Sequence, residues 1–219
     1  MKFQAESDLV ETLKTCLRSK YTRSSIEILE EVSVGYGIAD IVITELKKDY
    51  ISTKNFESSL ESNDINILSI VREARISTID DIINTTRCSR RVVLLSLKKL
   101  LDNGYIAQAE NGVSIKEDYE LNFVHNFAIE AKLKDWKKAL KQAYRYKWFA
   151  EYSFVVLDAH YAKPALKNIT IFEKYNVGLA SVTVDGKLKR HFNPKKEMPL
   201  DPKMQMLLSE KIRYYELAK

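Results

Sequence analysis

The sequence is poor in the residues that punctuate or cross-link a chain. Its 219 residues include only six glycines, four prolines and two cysteines. So little glycine and proline excludes collagen-like and low-complexity designs. Cys16 and Cys88 form no CxxC pair and no zinc pattern. That excludes a disulfide framework and points to a reducing, cytoplasmic setting. His125, His160 and His191 are scattered without ligand spacing. Apolar runs are short, as in Ile41 to Ile43 and Phe154 to Leu157, against the ~20 residues that cross a bilayer. No apolar stretch follows Lys2, so neither a signal peptide nor a membrane partner is expected. There is no internal repeat.

The residues that are abundant describe a folded, soluble protein: 45% are hydrophobic and 30% are charged. The length suits one elaborated domain or two small ones. Net charge is a modest +5, but its distribution is uneven. Arg87 to Lys99 carries five basic residues and no acid, and Lys132 to Lys147 carries seven basic residues and one acid, Asp135. Two such stretches point to a polyanionic partner, nucleic acid.

Hydrophobic periodicity orders the chain. Glu6 to Arg18 reads as an amphipathic helix. Ser24 to Val34 and Ile38 to Thr44 read as strands about the Gly35-Tyr36-Gly37 turn, a β-hairpin. Residues 47–62 are polar, as a linker would be. Asp64 to Ala74, Ile79 to Asn84 and Ser89 to Asp102 then read as three helices. Ser77 or Thr78 caps the second and Ser89 the third. Two short strands follow about Asn111-Gly112. Beyond Tyr119 come a strand (Phe127 to Leu133), a helix (Trp136 to Phe149), a strand (Tyr152 to Asp158), a helix (Tyr161 to Tyr175) and a strand (Gly178 to Val184). The tail from Asp185 is basic and ends in a helix, Pro202 to Leu217.

Helix, helix, turn, helix and two-stranded wing is an order that resembles a winged helix-turn-helix module. The expected organisation is an α/β core of residues 1–48 and 120–185, an inserted module of residues 63–119, and a basic extension of residues 186–219. In the insert, Arg87, Ser89, Arg90 and Arg91 stand at the start of the recognition helix and are candidate DNA contacts. The insert as a whole has as many acids as bases, so a protein-binding role for it stays open.

In Phe127 to Leu133, alternation puts Phe127, Ile129, Ala131 and Leu133 on one strand face and Ala128, Glu130 and Lys132 on the other. Asp40 is a lone carboxylate in Ile-Ala-Asp-Ile-Val-Ile. Burying an unpaired carboxylate is costly. Either a structural ion pair with Lys132 or a divalent cation shared by Asp40 and Glu130 would compensate it. Glu30 and Glu31 alternate in facing, so one of them points towards the site. Tyr144, Tyr146, Trp148 and Phe149 could stack bases, although some must form the core face of their helix.

A hairpin with an acid early in its second strand, then Glu-x-Lys on the next strand, then a basic helix, resembles the PD-(D/E)xK nuclease superfamily. The resemblance spans Glu6 to about Val184, with the winged helix as an insertion. It implies a restriction-endonuclease-like mixed sheet and a Mg²⁺-dependent DNA endonuclease, with Mn²⁺ as a substitute ion. Asp40 and Glu130 match the metal-binding acids, and the Ala131 carbonyl matches a backbone ligand. Lys132 matches the lysine that positions water and offsets charge, and Glu11 matches an extra acid on the first helix. Gln142-Ala-Tyr-Arg-Tyr146 matches the Gln-x-x-x-Tyr motif of the RecB-like branch. There Gln142 orients the site or the DNA, and Tyr146 stands one turn further along the same face towards DNA. The position before Asp40 is Ala39 rather than proline. The alternative is a non-catalytic DNA-binding or regulatory protein on a nuclease-like scaffold. A homodimer is left open.

Overall fold

The computed structural model describes residues 1–35, 37–48, 59–74 and 76–217. Two compact units divide the chain. One comprises residues 1–48 and 123–202, the other residues 49–122 and 203–219. Tyr36 of the glycine turn and most of the expected linker, residues 49–58, lie outside the described residues.

Helix α1 (Glu6–Lys20) opens the first unit. The Asp8 carboxylate accepts the Ala5 N–H at its start, and Glu6 and Asp8 place negative charge where the helix dipole favours it. Strands β1 (Ile26–Ser33) and β2 (Ile38–Leu46) form the expected antiparallel hairpin. Gly35 has φ 61° in the turn, a conformation that suits a residue without a Cβ.

The chain then builds most of the second unit: α2 (Ser62–Ala74), β3 (Ile76–Ser77), α3 (Ile79–Thr86), α4 (Arg90–Asp102), β4 (Ile106–Ala109) and β5 (Gly112–Ile115). The three strands form an antiparallel sheet in the order β3-β5-β4. Ile65, Leu68, Val71, Ile82, Val93, Leu97, Leu100, Ile106 and Val113 pack as one core. Thr78 and Asp81 close a capping box on α3, and the Ser89 hydroxyl accepts the Val92 N–H to cap α4. Gly112 is sterically obliged: a Cβ there would stand 2.2 Å from the Ser77 carbonyl oxygen.

On returning to the first unit, the chain forms β6 (Phe123–Lys132), α5 (Trp136–Arg145) with a 3-10 turn at Tyr146–Trp148, and β7 (Tyr152–Asp158). Two short helices, α6 (Lys163–Leu166) and α7 (Ile169–Tyr175), follow. They replace the single helix expected over 161–175. The Asn168 amide donates to the Pro164 carbonyl, and Asn168 leaves helical geometry at φ −116° and ψ 28°. A short polar side chain competing for backbone groups interrupts the helix there. Strand β8 (Gly178–Val182) completes the expected elements.

The basic tail departs from expectation. It contributes β9 (Leu188–Phe192), an edge strand antiparallel to β8. Helix α8 (Pro202–Leu217) follows, and its residues from Lys203 onward belong to the second unit. There the buried Glu210 accepts from the Leu60 N–H at 2.8 Å and the Tyr119 hydroxyl at 2.6 Å, and it pairs with Arg213 at 2.8 Å.

The first unit is therefore an α/β layer structure on a mixed six-stranded sheet, β1-β2-β6-β7-β8-β9. Pairings are antiparallel from β1 to β6, parallel from β6 to β8 and antiparallel at β9. Leu9, Leu13 and Leu17 of α1 share a core with Ile41, Ile43, Ile129, Ala131 and Val156. That is the strand face which alternation assigned to burial. Among the described residues no helix is long and apolar enough to cross a membrane.

Candidate active site

The antiparallel register of β2 and β6 pairs Ile41 with Ile129. One step further along the same register, Asp40 stands opposite Glu130. Residues directly opposite on neighbouring strands share a face, so the two carboxylates lie on one side of the sheet. The Ala131 N–H donates to Asp40 Oδ2 at 2.7 Å, which ties the two strands together at this point. Lys132, two residues beyond Glu130 and on the same face, brings its Nζ to 3.0 Å from Glu130 Oε1 and 3.1 Å from Glu6 Oε2.

The 3-10 turn after α5 reaches the cluster through Tyr146. The Tyr146 hydroxyl donates to the Ile38 carbonyl at 2.7 Å and also contacts Glu130 Oε2. A phenol has one proton, and here it faces two acceptors. Burial raises the Glu130 pKa, the Tyr146 hydrogen bond opposes the rise, and the charge of Asp40 adds to it. Burial also raises Asp40, against the Ala131 N–H and the Lys132 charge. For Lys132 burial alone would lower the pKa, but the hydrogen bond and charge of Glu130, with Glu6, hold it above the ordinary lysine value.

Three other predicted positions are placed differently. Glu11 pairs with Lys14, which also holds Glu30. The acid that α1 delivers to the site is Glu6. The two differ by five residues, about 140° around a helix, so they cannot serve the same face. Tyr146 does not face DNA. It is 2% exposed and bound within the acid cluster, because the face that carries it is the one α5 buries. Of the glutamate pair, Glu30 is taken by Lys14 and Arg18, and the charge of Glu31 acts on Asp40. Glu31 drops out of the β1–β2 ladder between Glu30↔Ile41 and Val32↔Ala39 and has φ 49°. Left-handed geometry costs a non-glycine residue roughly 1–2 kcal/mol.

Gln142 is half-buried, one turn before Tyr146 on α5. Its Oε1 is sealed from solvent and has no hydrogen-bond partner among the described residues. In the second unit, Arg87 caps α3 with φ 55°. The Ser89 hydroxyl is occupied by its cap, and Arg90 pairs with Asp80 at 3.1 Å. Arg91 is exposed and makes no ion pair among the described residues. Cys16 and Cys88 are free thiols.

Among the described residues no three His, Cys, Asp or Glu side chains form a ready-made metal group. The donor set nevertheless suits a hard cation that keeps several waters. It offers two carboxylates on one sheet face. When ionised, Glu6, Asp40 and Glu130 against Lys132 leave two negative charges in a half-buried site. No protein-family model, no curated protein and no solved structure matches this chain.

Proposed function

We propose that the chain is a Mg²⁺-dependent DNA endonuclease of the PD-(D/E)xK type, with a restriction-endonuclease-like core and an inserted winged helix that binds DNA. The meeting of Asp40, Glu130 and Lys132, from residues ninety positions apart, carries the proposal. Asp40, Glu130 and the Ala131 carbonyl would hold the cation. When bound, Mg²⁺ or Mn²⁺ supplies charge neutralisation at the phosphate and a lowered pKa for water.

The remaining work belongs to the chain. Lys132 holds an ammonium beside the carboxylates, where it offsets charge growing on the phosphate oxygens. Glu6 and Glu130 fix its position. Tyr146 orients Glu130 from the opposite side. The unpartnered Gln142 Oε1 gives α5 an acceptor for a water or a substrate group. Arg87 and Arg91 contact phosphates at the start of the recognition helix, α4. Two free cysteines are compatible with a cytoplasmic enzyme.

Nicking of supercoiled plasmid tests the proposal. Cleavage is expected with Mg²⁺, none with EDTA, and none with Asp40→Asn, whose amide oxygen can still accept the Ala131 N–H. Metal-independent cleavage, or full activity of Asp40→Asn, overturns it. One observation favours a second role for the insert. Helix α4 exposes Leu94, Leu95 and Leu101 beside Arg91 and Lys98, and apolar side chains on that face suit a protein partner. Loss of plasmid binding on Arg87→Ala/Arg91→Ala supports the DNA role, and unchanged binding supports the protein role.

A further inference from the structure

Four aromatic residues crowd into the six-residue stretch from Tyr144 to Phe149, and the fold sorts them into two faces. Tyr146 and Phe149 are core, at 2% and 1% exposure, whereas Tyr144 and Trp148 face outward at 44% and 37%. Tyr175, at the end of α7 and 41% exposed, joins them. Its ring meets that of Tyr144 edge-on with centroids 5.4 Å apart. The Lys147 ammonium lies 5.3 Å over the Tyr144 ring and donates to the Tyr175 carbonyl at 2.8 Å, which fixes the two tyrosines against one another. Hydrophobic burial does not account for two outward rings held against one another in this way, with a third, Trp148, exposed four residues beyond Tyr144.

The same helix face is cationic. Lys137, Lys138, Lys141 and Arg145 are exposed and make no ion pair among the described residues. The single acid between Lys132 and Lys147, Asp135, is committed to capping α5 through the Lys138 N–H at 3.1 Å. Glu197 is neutralised by Lys147. Unopposed cations next to exposed rings match the two parts of a single strand, its phosphates and its uncovered bases. In a duplex the base faces are already stacked on one another and cannot use the rings.

We propose that Tyr144, Trp148 and Tyr175, with Lys141 and Arg145, form a stacking platform for unpaired DNA bases. It lies on the face of α5 opposite the acid cluster. The proposal rests on the DNA-directed reading above and extends it to the form of the substrate, duplex with a single-stranded segment. The platform gives that segment a holding surface outside the chemistry.

Full-length protein titrated with dT15 in EDTA separates holding from cleaving. Trp136 is buried, so Trp148 reports stacking through quenched emission. Tyr144→Ala/Tyr175→Ala is expected to weaken dT15 binding by about tenfold or more, and to change binding of a blunt 15-base-pair duplex by less than about twofold. Tyr144→Phe/Tyr175→Phe keeps the rings and restores affinity for dT15. Absence of dT15 binding by the parent protein, unchanged dT15 affinity of the alanine variant, or equal losses on dT15 and duplex would each overturn the platform. Binding of dT15 through the rings by a protein that nicks no plasmid removes the nuclease reading and leaves the platform standing. Plasmid nicking by a protein whose alanine variant binds dT15 normally does the reverse.

Discussion

Replacing Lys132 with methionine separates the two electrostatic roles of the site. The Lys132 side chain is 15% exposed, and its ammonium touches two carboxylates at 3.0 and 3.1 Å. At an effective dielectric near 20, opposite unit charges ~4 Å apart attract by about 4 kcal/mol. The net value of each such charge-assisted hydrogen bond, after solvent exchange, is about 1.5–3 kcal/mol. Methionine keeps the aliphatic stem and removes the charge, so the cluster loses the cation that competes with a metal for Glu130. Divalent-ion affinity should therefore hold or rise, by up to roughly tenfold for each ~1.4 kcal/mol of relieved competition. Turnover should fall by about 10²–10³, the usual cost of removing one group aimed at developing charge. Calorimetric titration with Mn²⁺ reads the first quantity and plasmid nicking at saturating Mg²⁺ the second. Parallel losses of metal affinity and turnover would make Lys132 a structural counter-ion. Full turnover would refute its assignment outright.

Three further outcomes are expected. Tyr146→Phe removes the donor shared by the Ile38 carbonyl and the buried Glu130 carboxylate, and leaves the carboxylate short of a partner. Urea unfolding should show a loss of about 1–3 kcal/mol, with reduced nicking because Glu130 loses its orienting partner. Arg87→Ala/Arg91→Ala should weaken duplex binding and make the slope of log affinity against log salt shallower by about two, read by titrations at several salt concentrations. Burial raises the pKa of Glu210 despite Arg213, Tyr119 and the Leu60 N–H. The folded state thus binds that proton more tightly than the unfolded chain. Its contribution to stability is complete below the unfolded carboxylate pKa and is lost as pH rises through the folded value. The melting temperature of the parent relative to Glu210→Gln should therefore decline as pH rises above about 4.3, and a difference independent of pH would refute the assignment.

Local pattern was sufficient for most elements because the information is local. Period-2 alternation in Phe127 to Leu133 and the Ser89 and Thr78 caps depend on neighbours a few residues away, and each reappears in the structure. The second hairpin forms with its turn one residue earlier than Asn111-Gly112, so that Gly112 opens β5. The choice of Asp40, Glu130 and Lys132 came from the order of elements, and strand pairing then set them on one face. Edge strand β9 escaped notice because an edge carrying Lys189 and Arg190 has no buried face to impose alternation. Glu6 was missed because helical phase alone does not say which end of α1 meets the end of β6.

What the sequence by itself determined is which residues are apolar, how they repeat, and so which strands and helices form and which faces they bury. Only the tertiary structure decided which acid from α1 reaches Lys132 and that Tyr146 turns inward to Glu130. It alone separated Tyr144 and Trp148 from Tyr146 and Phe149 as an outward face. Those outcomes depend on strand register and on the rotation of each helix against the sheet. Both are fixed by packing between segments far apart in the chain, and no short-range pattern encodes them.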